Sequence, residues 1–225
     1  MRPTGESPLF DDIENSYPPF DEAMMSASER ELFAKLPKDY QEFLRSHNGG
    51  FVRDFRYSFL TGVPYKTEAI DNPSRDDCVV EFLGIPTTTS EGRWPASLIL
   101  TAEEHRAAKF LPDGIIAIAI CIQSSLVCVS LRPADRGAIY YWDYYWRYPW
   151  CKSFFEERIE GSRARVKDSE VIMENPHHPD FPALVDALNF ATLVKLSDSF
   201  SGWCHSCFDG SEDDADERGS PDARA

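Results

Sequence analysis

Two kinds of apolar spacing alternate along this chain. Tyr40, Phe43, Leu44 and His47 fall at i, i+3, i+4 and i+7, a single stripe down one side of a helix. Pro37 opens that helix, and Asn48-Gly49-Gly50 supplies a left-handed stop. Just upstream, Ser28 and Glu31 have the spacing of a capping box, with Leu32, Phe33 and Leu36 behind them, so a two-part opening helix is expected to begin at Ser28. Residues 1–27 mix prolines, serines and acids without a period and read as an extended arm able to lay Phe10 and Phe20 on the body.

The spacing then shifts to that of strands. Residues 51–60 alternate well enough for a strand or hairpin arm, 61–77 read as loop, and 79–85 make another strand candidate. Thr101 with Glu104 forms a second capping box for a two-turn helix stopped by Pro112. Residues 115–120, 126–131 and 138–142 follow with short links, which favours an antiparallel meander. The first of these runs is apolar on both faces and so central. Beyond Trp150 comes a charged stretch, then a proline-bearing loop. Last is a helix capped by Asp180, with Leu184, Ala187, Leu188, Ala191 and Val194 on the face that packs on the sheet.

Composition changes little in that picture. With 42 % hydrophobic and 13 % aromatic residues the chain can build a sizeable core. Its longest apolar run, 115–122, is far short of the roughly 20 residues of a membrane helix, and the N-terminal residues carry acids where an export signal needs bases, so a cytoplasmic protein is expected. The domain plan is an acidic arm over 1–27, one α+β domain over 28–208 and a disordered acidic tail over 209–225.

Charge excludes one class of partner. Of the net charge of −15, residues 1–22 hold six acids against Arg2, and residues 209–225 hold seven against Arg218 and Arg224. Phosphate binding needs clustered Lys and Arg, so nucleic acid is not expected as a direct partner, whereas a basic protein surface is.

No catalytic set stands out, and no enzyme is expected. Phosphate-cradling loops and a nucleophile elbow are absent. Adjacent acids such as Asp76-Asp77 and Glu156-Glu157 read as solvated faces, and His47 as a structural histidine on the helix stripe. Of the six cysteines, Cys121 and Cys128 lie in apolar strands and read as core thiols. Cys204-His205-Ser206-Cys207 has the CxxC spacing that binds zinc or exchanges disulfides, but tetrahedral zinc needs two more ligands. The pair is therefore expected to be reduced and partly exposed, with no metal and no cofactor.

Two segments together resemble the SUKH superfamily, which includes the fungal cell-wall-synthesis regulator and bacterial immunity proteins of polymorphic toxin systems. One is residues 36–50, with its Leu-Pro start, the Tyr40 and Phe43-Leu44 packing positions and the Asn-Gly stop. The other is Phe110-Leu111-Pro112 leading into the strands at 115–120 and 126–131, then Gly137 and Ile139-Tyr140-Tyr141-Trp142-Asp143. The resemblance spans roughly residues 28–195 and implies a single α+β domain, a mainly antiparallel sheet with helices packed on one side. It further implies no catalytic residues and binding to a toxin domain, often a nuclease, with a regulatory or scaffolding module as the alternative.

The chain departs from that pattern at Tyr144, where histidine is common, and in an expanded segment over 144–180. Residues 142–150 are also the densest aromatic stretch of the sequence. Strand alternation can bury only about half of those rings. Tyr, Trp and Arg dominate binding hot spots, so Asp143, Tyr144, Tyr145, Trp146 and Arg147 are expected at the partner surface, with Trp142 mainly structural.

Overall fold

The stripe on residues 40–47 forms a helix because its apolar side chains share one face and its end is closed by Asn48 in the left-handed region (φ 37°), where the Asn48 N–H donates to the Leu44 carbonyl. The computed structural model describes residues 10, 13–18, 22–32, 34–53, 57–66, 71–72, 75–87, 95–108, 111–146 and 148–207. In chain order the elements begin with β1 (Ile13–Glu14), α1 (Glu22–Glu31), α2 (Lys38–His47), β2 (Gly50–Val52) and β3 (Ser58–Leu60). A small hairpin, β4 (Tyr65–Lys66) and β5 (Asp71–Asn72), precedes β6 (Asp76–Phe82) and α3 (Leu98–Ala108). The meander β7 (Ile115–Cys121), β8 (Leu126–Ser130) and β9 (Ile139–Trp142) leads into α4 (Pro149–Ala164), α5 (Ser169–Glu174) and α6 (Phe181–Phe190). The chain returns to the sheet as β10 (Leu193–Ser197) and closes with α7 (Phe200–Ser206).

The fold is α+β, a single domain on an antiparallel sheet ordered β1-β2-β6-β7-β8-β9-β10, with β3 also paired to β6. The three central strands form the expected meander. Among the described residues, no helix is long and apolar enough to cross a membrane.

Register assigns the faces. Phe82 pairs with Ala119, Ala119 with Val127, and Val127 with Tyr141, so these residues share one face. Over it lie Phe43 of α2 and Phe200 and Trp203 of α7, Phe82 standing 5.0 Å from Phe43 between ring centroids. Phe10 joins this layer, packing on Phe43 and stacking on Phe200; Phe20 lies outside the described residues. Alternate residues of β9 point the other way, and there Tyr140 meets Phe190 of α6 edge to face.

Several local expectations give way to tertiary structure. Ser28 does not start a helix: α1 begins at Glu22, and the Ser28 hydroxyl donates back to the Met24 carbonyl inside it. Glu29 serves instead, accepting from the Leu36 N–H across the break between the two helices. The third helix likewise begins at Leu98, three residues before Thr101, because the Ser97 hydroxyl accepts from the Leu100 N–H.

The charged stretch after Trp150 is the 16-residue helix α4, whose Cys151 and Phe155 are buried one turn apart. The last expected helix is divided. It ends at Phe190 with only Leu184 buried and with no side-chain cap from Asp180, while Val194 belongs to β10. The free edge of β9 takes up that strand, Val194 lying opposite Tyr141.

Candidate functional site

A turn leaves the end of β9 and carries the aromatic cluster. Its anchor is Asp143, whose side chain is fully buried. One carboxylate oxygen accepts from the Tyr145 N–H at 2.7 Å, and the other accepts from Arg75 Nη2 at 2.9 Å. The Asp143 carbonyl receives the Trp146 N–H, and the Tyr144 N–H donates to the buried Ser125 hydroxyl in the β7–β8 turn. The first three residues after Asp143 are thereby tied to Asp143 itself or to the β7–β8 turn.

Arg75 extends that anchor into a buried chain of polar groups. Its Nη2 also donates to the Tyr141 hydroxyl at 2.6 Å, which in turn donates to Asp77 Oδ2 at 2.7 Å. Asp77 Oδ1 accepts from the Cys78 N–H at 2.8 Å. Burial works against the charge on Arg75, but Tyr141 and Asp143 beside it outweigh that and raise its pKa. Cys151, whose thiol faces Asp143, is pushed up to about 12 by burial and then by that carboxylate, so it stays protonated.

Asp77 therefore is not part of a solvated face: Asp76 is exposed, but Asp77 is buried against Tyr141. Burial raises its pKa above the ordinary 3.8 despite the hydrogen bond from Tyr141. The folded state then holds this proton more tightly than the unfolded chain, so the group's contribution to stability is complete below pH 3.8 and fades as pH rises through the raised native value. Denaturant unfolding across pH 4 to 7 is expected to show wild type gaining on Asp77→Asn as the pH falls; a constant difference would contradict this.

Above this anchor the rings are arranged edge to face. Trp142 and Tyr144 stand 6.2 Å apart at 75°, and Tyr144 and Tyr145 stand 5.2 Å apart at 90°. Tyr144 is 50 % exposed and Tyr148 45 %, whereas Trp146 packs on the core with its ring 6.2 Å from Phe155. A groove of about 510 Å³ opens here, walled by Trp142, Tyr144, Trp146 and Tyr148, with His105 of α3 and Ser124 completing it.

The expected partner residues thus separate. Tyr144 is at the surface, Tyr145 and Trp146 are half-buried, Asp143 lies wholly beneath, and Arg147 is outside the described residues. Trp142, 7 % exposed, is buried and lines the groove. Sequence reasoning missed Tyr148, His105 and Ser124, and also the exposed Ile122 in the same β7–β8 turn.

The CxxC pair sits on and just after α7. Cys204 is buried, and the Cys207 thiol points at the Trp203 carbonyl at 3.5 Å. Burial raises both thiols, Cys207 to about 12, so neither is a thiolate at neutral pH. Among the described residues no three His, Cys, Asp or Glu side chains group as a metal would need.

The Asn-Gly stop after the first packing helix and the Trp-Asp turn at the end of the third meander strand are among the features that carried the resemblance, and the structure sets them on one antiparallel sheet and its packing helix. A family model for the SMI1 / KNR4 family (SUKH-1) matches residues 19–160, well over half of the chain. The chain belongs to the SMI1 / KNR4 family (SUKH-1). Family membership thus covers α1 through most of α4, including the whole aromatic turn, while α5, α6, β10 and α7 lie beyond the matched residues. No curated protein matches the chain.

Proposed function

We propose that this SUKH-1 domain acts by binding a protein, without chemistry of its own, and that its partner is a toxin domain whose working surface it covers. The reading makes it an immunity protein. The observation that carries it is the exposed aromatic turn. Rigid Tyr and Trp rings held at a strand end by a buried ion pair are what a hot spot needs, because little side-chain entropy is lost on binding.

The acidic chain suits a toxin that acts on nucleic acid, since such a toxin presents a basic cleft. Family membership supports a protein partner. The direct test is protection. A toxin is expected to be encoded beside this gene, and cells expressing it are expected to survive when the full chain is co-expressed; absence of such a gene, or death in the chain's presence, would sink the reading.

Charge gives a second expectation. Association with the toxin is expected to slow between about 50 mM and 500 mM salt, because the Debye length shrinks about threefold over that range and steering is screened. An unchanged association rate in stopped-flow would assign the net charge of −15 to solubility alone.

A further inference from the structure

The groove beside the turn has a composition that selects one kind of side chain. Trp142, Tyr144, Trp146 and Tyr148 wall it, and Leu126, Ser124 and His105 of α3 make up the rest of its lining. Burial lowers the pKa of His105 below the ordinary 6.5, against the opposing pull of Glu104, so the ring is neutral at physiological pH.

An apolar side chain would gain from such a groove only by contact area. A cation gains more, since aromatic faces carry negative potential and attract Lys or Arg within about 6 Å of the ring centre. The neutral histidine does not repel it, and the chain as a whole has a net charge of −15.

From this we infer that the groove receives a basic side chain, lysine or arginine, of the partner protein, enclosed by the rings of Trp142, Tyr144, Trp146 and Tyr148. The inference rests on the proposed function, which it deepens by stating what the turn recognises. The partner contributes a protruding cation, and the rings strip its water while keeping it electrostatically satisfied.

The test uses the full chain with ¹⁵N-labelled tryptophan and follows the indole N–H signals of Trp142 and Trp146. The probes are N-acetyl-arginine amide, N-acetyl-lysine amide and, as an uncharged aliphatic control, N-acetyl-norleucine amide. The basic amides are expected to bind at least about tenfold more tightly than the norleucine amide. Tyr144→Leu and Tyr148→Leu should each lose that preference, whereas Tyr144→Phe, which keeps the ring, should retain it.

Equal binding of norleucine amide would overturn the cation site, as would no shift with either basic amide or an unchanged preference in both leucine variants. Thermal melts of the variants identify any that unfold, and the wild-type comparison of charged and uncharged probes stands without them. The two readings fail separately. Protection of cells without cation binding removes this inference alone, and cation binding without protection removes the immunity role while leaving the groove.

Discussion

Replacing Arg75 with alanine is expected to lower stability by about 3–5 kcal/mol, because it leaves a buried carboxylate without its countercharge. Asp143 is fully buried and Arg75 only 15 % exposed at its side chain, so water cannot take the place of the guanidinium. The Tyr141 hydroxyl loses a donor at the same time. For a chain of this size the melting temperature should fall by about 10 °C or more.

The double variant Arg75→Met with Asp143→Asn removes both charges and keeps an acceptor for the Tyr145 N–H, so it should recover most of the loss. If the double variant is no more stable than Arg75→Ala, the pair is not coupled as the geometry requires. A single Arg75→Ala loss below about 1 kcal/mol would place the pair with exposed surface ion pairs instead.

Asn48→Ala is the second large expected loss, about 3 kcal/mol. The side chain does more than end α2. Its Nδ2 donates to the carbonyls of Pro18 and Ile85, at 2.9 and 3.0 Å, and its Oδ1 accepts from the Ile85 N–H at 2.8 Å. Alanine strands these backbone groups in a buried site and also places a Cβ-only residue in the left-handed region.

Glycine at the same position separates the two contributions. Asn48→Gly relieves the backbone conformation but not the lost hydrogen bonds, so it should recover about 1 kcal/mol of the loss. Denaturant unfolding of the two variants checks this. Equal stability of wild type and Asn48→Gly would show that the side chain's bonds to Pro18 and Ile85 contribute nothing.

How much of this was legible beforehand follows from what each feature depends on. The α2 stripe and the meander are local patterns, and they survive because the apolar residues that make the period also make the core: Tyr40, Phe43 and Leu44 are all buried. The Asn48 stop was visible as a cap, yet its bonds to Pro18 and Ile85 span 30 and 37 residues and leave no local trace. The failed cap at Ser28 shows the converse. A capping box is a spacing, and here a helix begun at Glu22 runs through it.

In the site, the aromatic stretch was legible as a surplus of rings. Which ring faces outward was not, because Trp146 packs on Phe155, a residue of a helix hidden by its charged face. Asp143 and Asp77 looked like surface acids for a related reason. Arg75, 68 residues from Asp143 in sequence, falls in the stretch 61–77 that reads as loop, with nothing to mark it as a buried partner. β10 was obscured because Val194 continues the spacing of α6, and only the unpaired edge of β9 decides that it is a strand.

The central claim is that the partner binds on the aromatic turn, and the measurement nearest to it is the dissociation constant of Tyr144→Ala for the toxin domain, taken beside its melting temperature. Tyr144 is half exposed and its ring meets those of Trp142 and Tyr145 edge to face, so the fold should be nearly untouched. The account predicts at least about 2 kcal/mol of lost binding at an unchanged melting temperature, with Val171→Ala, an exposed apolar position on α5 outside the turn, binding as wild type. Wild-type affinity in Tyr144→Ala, or an equal loss in Val171→Ala, would contradict it.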